Sequence, residues 1–261
     1  MSDFDDMLER LTREADDLAT DAVARVRELL ERTRADVSAR VIGTEWDEWR
    51  AAKLRGEIER SLRGFAEGFS GTMAGELERA WAAGGSMVDA TLSAQGFSGV
   101  GPVLDRTMLG VLQGYSAQLI KGLASDAVAR IDRILQQGVS GVKTPYDAIR
   151  EIGRNLDEKG FFRSIFGRAE AIARTEMARV HAAARQARMA GVVERNPHRR
   201  FWKRWLHSGF GKPPRVNHMA SHGETVAYGD WFSNGIPYPH APGLPAREVV
   251  RCRCTHVLIV A

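Results

Sequence analysis

The chain has 261 residues, 44% of them hydrophobic and 27% charged, the make-up of a globular protein rather than a wholly disordered one. No apolar run approaches the roughly 18 residues that suggest a membrane-spanning helix, and two cysteines, Cys252 and Cys254, are too few for a disulfide scaffold. The net charge of +4 divides unevenly: residues 1–150 hold 19 Lys/Arg against 24 Asp/Glu, and residues 151–261 hold 18 against 9. The back of the chain also carries all 7 histidines and both cysteines. An acidic front and a basic, turn-rich back are therefore expected. The opening residues 1–6 are acidic and lack an apolar signal core, which leads to the expectation of synthesis in a cytosol.

In chain order, Phe4, Leu8, Leu11, Ala15, Leu18, Ala22, Val26 and Leu29 recur at steps of three and four, predicting a long amphipathic helix that stops near Gly43. Thr44 and Asp47 suit an N-cap region for a second helix, whose buried side runs from Trp46 and Trp49 through Leu54, Ile58, Leu62, Phe65 and Phe69. Residues 83–101, rich in Gly, Ser and Ala and poor in charge, read as a flexible connection or a segment ordered by a partner. Pro102 opens a third helical pattern through Leu104, Met108, Val111, Tyr115, Leu119, Leu123, Val128, Ile131 and Leu135 that Gly138 ends, and Thr144-Pro145 starts a helix over about 145–156. A further helix at about 168–190 places Ala169, Ala173, Val180, Ala184 and Ala187 on one side, with Glu176 at its margin and Arg174, Arg185 and Arg188 pointing away. A carboxylate beside a buried face needs a partner, so Glu176 is expected to accept hydrogen bonds from a basic group of the C-terminal part.

After Pro197, short aromatic segments alternate with turns, and residues 248–260 read as a strand. Alternation puts Val250, Cys252, Cys254, His256 and Leu258 on one face. Side chains two apart on a strand run parallel, so Cys-x-Cys suits two buried small side chains or two thiolates on one metal. A short helix over 215–223 would put His218 and His222 on one face. Two readings stand: a zinc set of His218, His222, Cys252 and Cys254, and a metal-free hydrogen-bonded core in which His218 is satisfied by backbone or a carboxylate. Arg195, Arg199, Arg200, Lys203 and Arg204, interleaved with Phe201, Trp202 and Trp205, form the densest basic-aromatic cluster. Such a cluster can bind phosphate backbone and stack bases, or simply guard a strand edge with charge.

The order of several features resembles a known family. Arg174-Thr175-Glu176 lies in a helix, followed by an aromatic-basic strand with Lys203 and Trp205. Then come Arg215-x-x-His218 leading to Gly223, a Trp231-Phe232 segment, a Pro-rich turn and a near-terminal Cys252-Arg253-Cys254. Over about residues 140–258 this is similar to the head morphogenesis domain of the phage Mu F-like minor head proteins. The chain departs from the usual pattern in having His207-Ser208 after the tryptophan, His222 before the glycine and Arg251 before the first cysteine. The resemblance implies a minor capsid protein of a tailed phage or phage-like particle, present in several copies around the portal vertex. It implies a place inside the virion after assembly in host cytoplasm, and portal protein, capsid or scaffold components and packaged DNA as partners. Assistance with head assembly, genome packaging or DNA ejection is implied, and no enzymatic activity.

The alternative is a metal-dependent nuclease or hydrolase using the His/Cys cluster with Glu176 or Glu224. It lacks the spacing of a His-Glu-x-x-His protease, a phosphate loop or a serine elbow. The expected fold class is α+β: long N-terminal helices as a hairpin or bundle over 1–140, then a small α+β module with a short antiparallel sheet over 141–261.

Overall fold

The structure, a computed structural model, describes residues 3–42, 48–97, 105–144, 146–148, 150–152, 165–209 and 215–260. It is α+β, with long N-terminal helices followed by a small module built on a three-stranded antiparallel sheet. The helices are α1 (Asp3–Ile42), α2 (Glu48–Ala94), α3 (Arg106–Val139) and α4 (Ile165–Arg195). After them come β1 (Phe201–Leu206), the short α5 (Val216–Ala220), β2 (Thr225–Ala227), α6 (Ala246–Val249) and β3 (Thr255–Val260).

The chain forms two compact units that cut across the division expected at residue 140. One comprises residues 1–20, 76–112 and 174–261, and the other 21–75 and 113–173. The four long helices each contribute to both, which a boundary sought only in composition does not reveal. In the second unit many of the periodic apolar residues are buried, among them Val26, Leu30, Leu54, Ile58, Leu62, Phe65, Phe69, Ile120, Leu123 and Ile131, but Tyr115 of the stripe expected on α3 is exposed, as are Met108 and Val111 earlier on that helix. Thr144 caps the helical stretch after α3, its hydroxyl accepting the Asp147 N–H at 3.1 Å. The expectations placed on Gly43, Thr44, Trp46, Trp49, Pro102, Leu104 and Pro145 lie outside the described residues or side chains.

In the first unit, β1 is central, pairing antiparallel with β2 and with β3, from Phe201 opposite Val260 to Leu206 opposite Thr255. Leu258 joins Val88, Leu92, Phe97, Met189, Val192 and Phe201 in one core, and Val257 packs with Leu8 and Met87 in another. Helices therefore cover both sides of β3, which explains why Thr255, His256, Val257 and Leu258 are all buried instead of alternating. The free edge of β3 is met by Gln95, whose Nε2 donates to the Leu258 carbonyl at 3.0 Å and whose Oε1 accepts the Val260 N–H at 2.9 Å.

Two sequence expectations give way to the fold. Residues 83–94 are helical, not a flexible connection: they are the last turns of α2. Gly84 is where α2 meets α4, since a Cβ there would lie 2.4 Å from the His181 carbonyl oxygen and 2.9 Å from the Ala184 Cβ. Gly84 thus serves close backbone approach rather than flexibility. Arg185, expected to face outward, is 1% exposed, because α4 is packed around more of its circumference than one alanine stripe requires.

Candidate metal centre

The last strand is shorter than its hydrophobic pattern suggests. Residues 246–249 form α6, Arg251 takes a left-handed backbone (φ 55°), and regular pairing begins only at Thr255. Cys252 and Cys254 therefore sit on the segment leading into β3, not on the strand itself. The Thr175 hydroxyl of α4 fixes this turn by accepting the Arg251 N–H at 3.1 Å. Arg215 fixes the other end: its guanidinium donates to the carbonyls of Arg247 and Val250, both at 2.6 Å.

These restraints bring both thiols to one imidazole. His218, on α5, points its Nδ1 at Cys252 Sγ (3.4 Å) and Cys254 Sγ (3.5 Å). The three donor atoms all lie within 4.8 Å of one another, and all three residues are buried. Its other ring nitrogen, Nε2, is 2.9 Å from Glu248 Oε2 of α6. Asn217 Nδ2 donates to the same carboxylate oxygen at 3.2 Å. The Trp205 ring stands edge-on to the His218 ring, with centroids 5.2 Å apart, and at the same distance from Phe232. This apolar wall joins Phe232, Ile236 and both cysteines in a single core cluster.

The electrostatics belong to a thiol pair. A hydrogen bond from Cys254 holds the Cys252 thiol well below its usual range, against burial and with further help from His218 and His240. The same bond and burial push Cys254 upward. His240, itself left-handed at φ 64°, donates from Nε2 to the Cys252 carbonyl at 3.0 Å.

One imidazole and two thiols are donor types that bind metals such as zinc, and they are three of the four that a tetrahedral site takes. Tetrahedral zinc with Zn–N near 2.05 Å and Zn–S near 2.3 Å places nitrogen and sulfur ligands about 3.5–3.6 Å apart. The observed 3.4 and 3.5 Å agree with that separation. A carboxylate on the far nitrogen of the histidine is also the usual outer partner of a metal-ligating imidazole. The cluster can thus hold a metal through His218, Cys252 and Cys254.

His222, the fourth expected ligand, is not part of it. Helix α5 ends at Ala220, and Gly223 (φ +81°) turns the chain into β2, so residue 222 leaves the face that carries His218. Its Nδ1 accepts the His207 N–H at 3.0 Å, and it lines a separate groove with His207, Asp5 and Glu9. Gly223 has another task there, donating its N–H to the Trp205 carbonyl at 2.8 Å.

Glu176 is buried, at 1% exposed, but its ion pair at 3.0 Å is with Arg179 of its own helix, not with a basic group of the C-terminal segment. Burial raises its pKa, while Arg179 and then His240 pull it back. Arg253 pairs with Asp16 at 3.0 Å, and Arg174 donates to the Thr20 hydroxyl at 3.3 Å.

The basic cluster is smaller than it reads. Arg195, Arg199 and Arg200 are exposed, and Arg199 lies over the Phe97 ring. Lys203 is buried, its ammonium donating to the Pro237 carbonyl at 2.7 Å above the Phe232 ring, because β1 alternation turns it inward. It is therefore a core cation rather than a phosphate contact. Arg204 is half-buried beside Asp5 at 3.9 Å.

Sequence reasoning missed Glu248 and His240. Glu248 stands four residues before Cys252, a spacing with no motif of its own, and His240 sits within a Pro-rich turn that carries no periodic signal. No protein-family model, curated protein or solved structure matches the chain.

Proposed function

We propose that the chain is a non-enzymatic minor head component of a tailed phage or phage-like particle, with a zinc ion on His218, Cys252 and Cys254 clasping its C-terminal module. The observation that supports this reading is convergence. Of the residues that carry the resemblance to Mu F-like proteins, Trp205, Arg215, His218, Gly223, Cys252 and Cys254, together with Thr175, help to build or brace one buried cluster although they are spread from residue 175 to residue 254, whereas Arg174, Glu176 and Arg253 pair with Thr20, Arg179 and Asp16 instead. A residue set that shares one physical task is what a folding signature requires, whereas scattered matches would carry no such meaning.

The site suits holding rather than turning over a substrate. Cys252, Cys254 and His218 are 3%, 7% and 2% exposed, and Glu248, the carboxylate on the cluster, is committed to His218 Nε2. With three protein donors among the described residues, a hydrolytic zinc would need an accessible fourth position and a free general base. The hydrolase alternative is accordingly the weaker reading. Zinc's contribution here is folding free energy: it replaces the hydrogen-bonded thiol pair with two neutralised thiolates and fixes the chain segments that meet there. The acidic front helices suit a protein partner such as the portal, and the exposed Arg195, Arg199 and Arg200 suit non-specific contact with packaged DNA.

Mass spectrometry of particles purified from the phage or strain that carries this gene tests the assignment. A few copies per particle are expected, lost from heads assembled without portal protein. Particles that lack the chain altogether would overturn it.

A further inference from the structure

Beside the thiol cluster, and not used by it, is a second feature built from charge. Arg185 of α4 is fully buried, yet among the described residues no carboxylate pairs with it. Its Nη1 makes only long contacts, 3.5 Å to the His256 carbonyl and 3.9 Å to the Met87 sulfur, and its Nε has no hydrogen-bond partner. Burial lowers its pKa to about 9, so it still carries its charge at neutral pH. An uncompensated buried guanidinium is costly, and proteins keep one where something else supplies the negative charge.

A cavity of about 50 Å³ lies against it. Arg174, Arg251 and Arg253 line the same cavity, with Asp16 as its one acidic side chain and His181 held neutral by burial. Four arginines and one acidic residue thus line this space, Arg253 being the ion-pair partner of Asp16. The left-handed backbone of Arg251, held by Thr175, fixes the turn from which that side chain reaches the cavity. One water needs roughly 10–15 Å³ on this measure. The space therefore takes the equivalent of about three to five waters, the size of a single small oxyanion and far less than a nucleotide.

We infer that this cavity, lined by Arg174, Arg185, Arg251 and Arg253, is a binding site for one tetrahedral oxyanion, phosphate or sulfate. Guanidinium forks match the oxygens of such an ion and bind them by charge-assisted hydrogen bonds. The ion would supply the counter-charge that Arg185 lacks, and would tie α4 to the segment that leads into β3. Cys252 and Cys254 also line the cavity, but the inference does not require zinc, since none of the four arginines is a metal donor.

Calorimetric titration of the full-length protein with inorganic phosphate, sulfate and acetate at constant ionic strength tests it. Saturable binding of phosphate and sulfate is expected, with acetate weaker, and affinity falling roughly tenfold or more in Arg185→Met and in Arg174→Gln. Arg174 is half-buried at the cavity, so its replacement leaves the core intact and decides the matter even if Arg185→Met fails to fold. Phosphate binding weaker than about 10 mM in the wild type, unchanged affinity in Arg174→Gln, or acetate preferred over phosphate would each overturn the proposal.

Discussion

His218 and Glu248 form the hinge of the site: a 2.9 Å contact between Nε2 and Oε2 fixes the imidazole so that Nδ1 faces both cysteine sulfurs. The carboxylate selects the tautomer with the proton on Nε2 and leaves Nδ1 as a lone-pair donor. Glu248 is itself held low in pKa against burial, by Asn217 and then His218. In Glu248→Gln the imidazole loses its anionic partner, and zinc affinity measured by chelator competition should fall about 10- to 100-fold. An unchanged affinity would mean that the carboxylate is incidental to the donor set.

Gly84 marks a close helix approach in the first unit. Gly84→Ala drives a methyl to within 2.4 Å of the His181 carbonyl oxygen, which is backbone and cannot swing aside. A loss of about 1–3 kcal/mol is expected in denaturant unfolding. Gly75 on the same helix has nothing within 4 Å of an added Cβ, so Gly75→Ala should gain up to about 1 kcal/mol from helix propensity. Equal effects at the two positions would contradict the close packing of α2 on α4.

His181 and His256 are buried and held well below the usual 6.5, chiefly by desolvation and next by the charge of Arg185. A histidine with a depressed folded pKa contributes stability that is present above its unfolded pKa and is lost as pH falls below it. Stability should therefore drop as pH falls from about 6.5 toward 5, with unfolding taking up as many as two protons, a slope of up to about 2.7 kcal/mol per pH unit. His256→Gln, which keeps a polar partner near Gln186, should roughly halve the slope. A flat profile between about pH 7 and 5 would contradict the neutral, buried assignment.

For Glu176 the sign is opposite. Burial lifts its carboxyl above the usual 4.5 despite Arg179, so its contribution is present below the unfolded value and is lost as pH rises through the folded one. At neutral pH Glu176→Gln should melt at or above the wild type, and the wild type should gain on the variant as the pH falls toward about 4. A loss of about 3–5 kcal/mol at neutral pH, as for a broken buried ion pair, would show instead that the Arg179 contact dominates.

Helix periodicity was the legible part of this chain. The apolar steps of α1, α2 and α4 mark real buried stripes, and Thr144 acts as a cap, because both depend on residues close in sequence, whereas in the first half of α3 the predicted Met108, Val111 and Tyr115 are exposed. What local pattern could not supply is direction imposed by distant neighbours. Residues 248–260 read as one strand, yet Thr175 and Arg215 seize the first half and bend it. Residues 83–94 read as part of a linker, yet they continue α2, and Gly84 answers the backbone of α4. Lys203 and Arg185 read as solvent cations, and the packing of β1 and α4 turned both inward. Within the site, His218, Cys252 and Cys254 were recognisable from residue type alone, whereas Glu248 needed the fold to bring α6 beside α5.

The shared focus of two thiols and one imidazole is the feature on which the rest depends. Elemental analysis of the full-length protein, purified without chelators or metal-affinity media, tests it most directly. One zinc per chain is predicted in the wild type and close to none in Cys252→Ser and Cys254→Ser, with a lower melting temperature when the metal is stripped. Wild-type protein that is free of metal and melts at the same temperature with or without added zinc would contradict it.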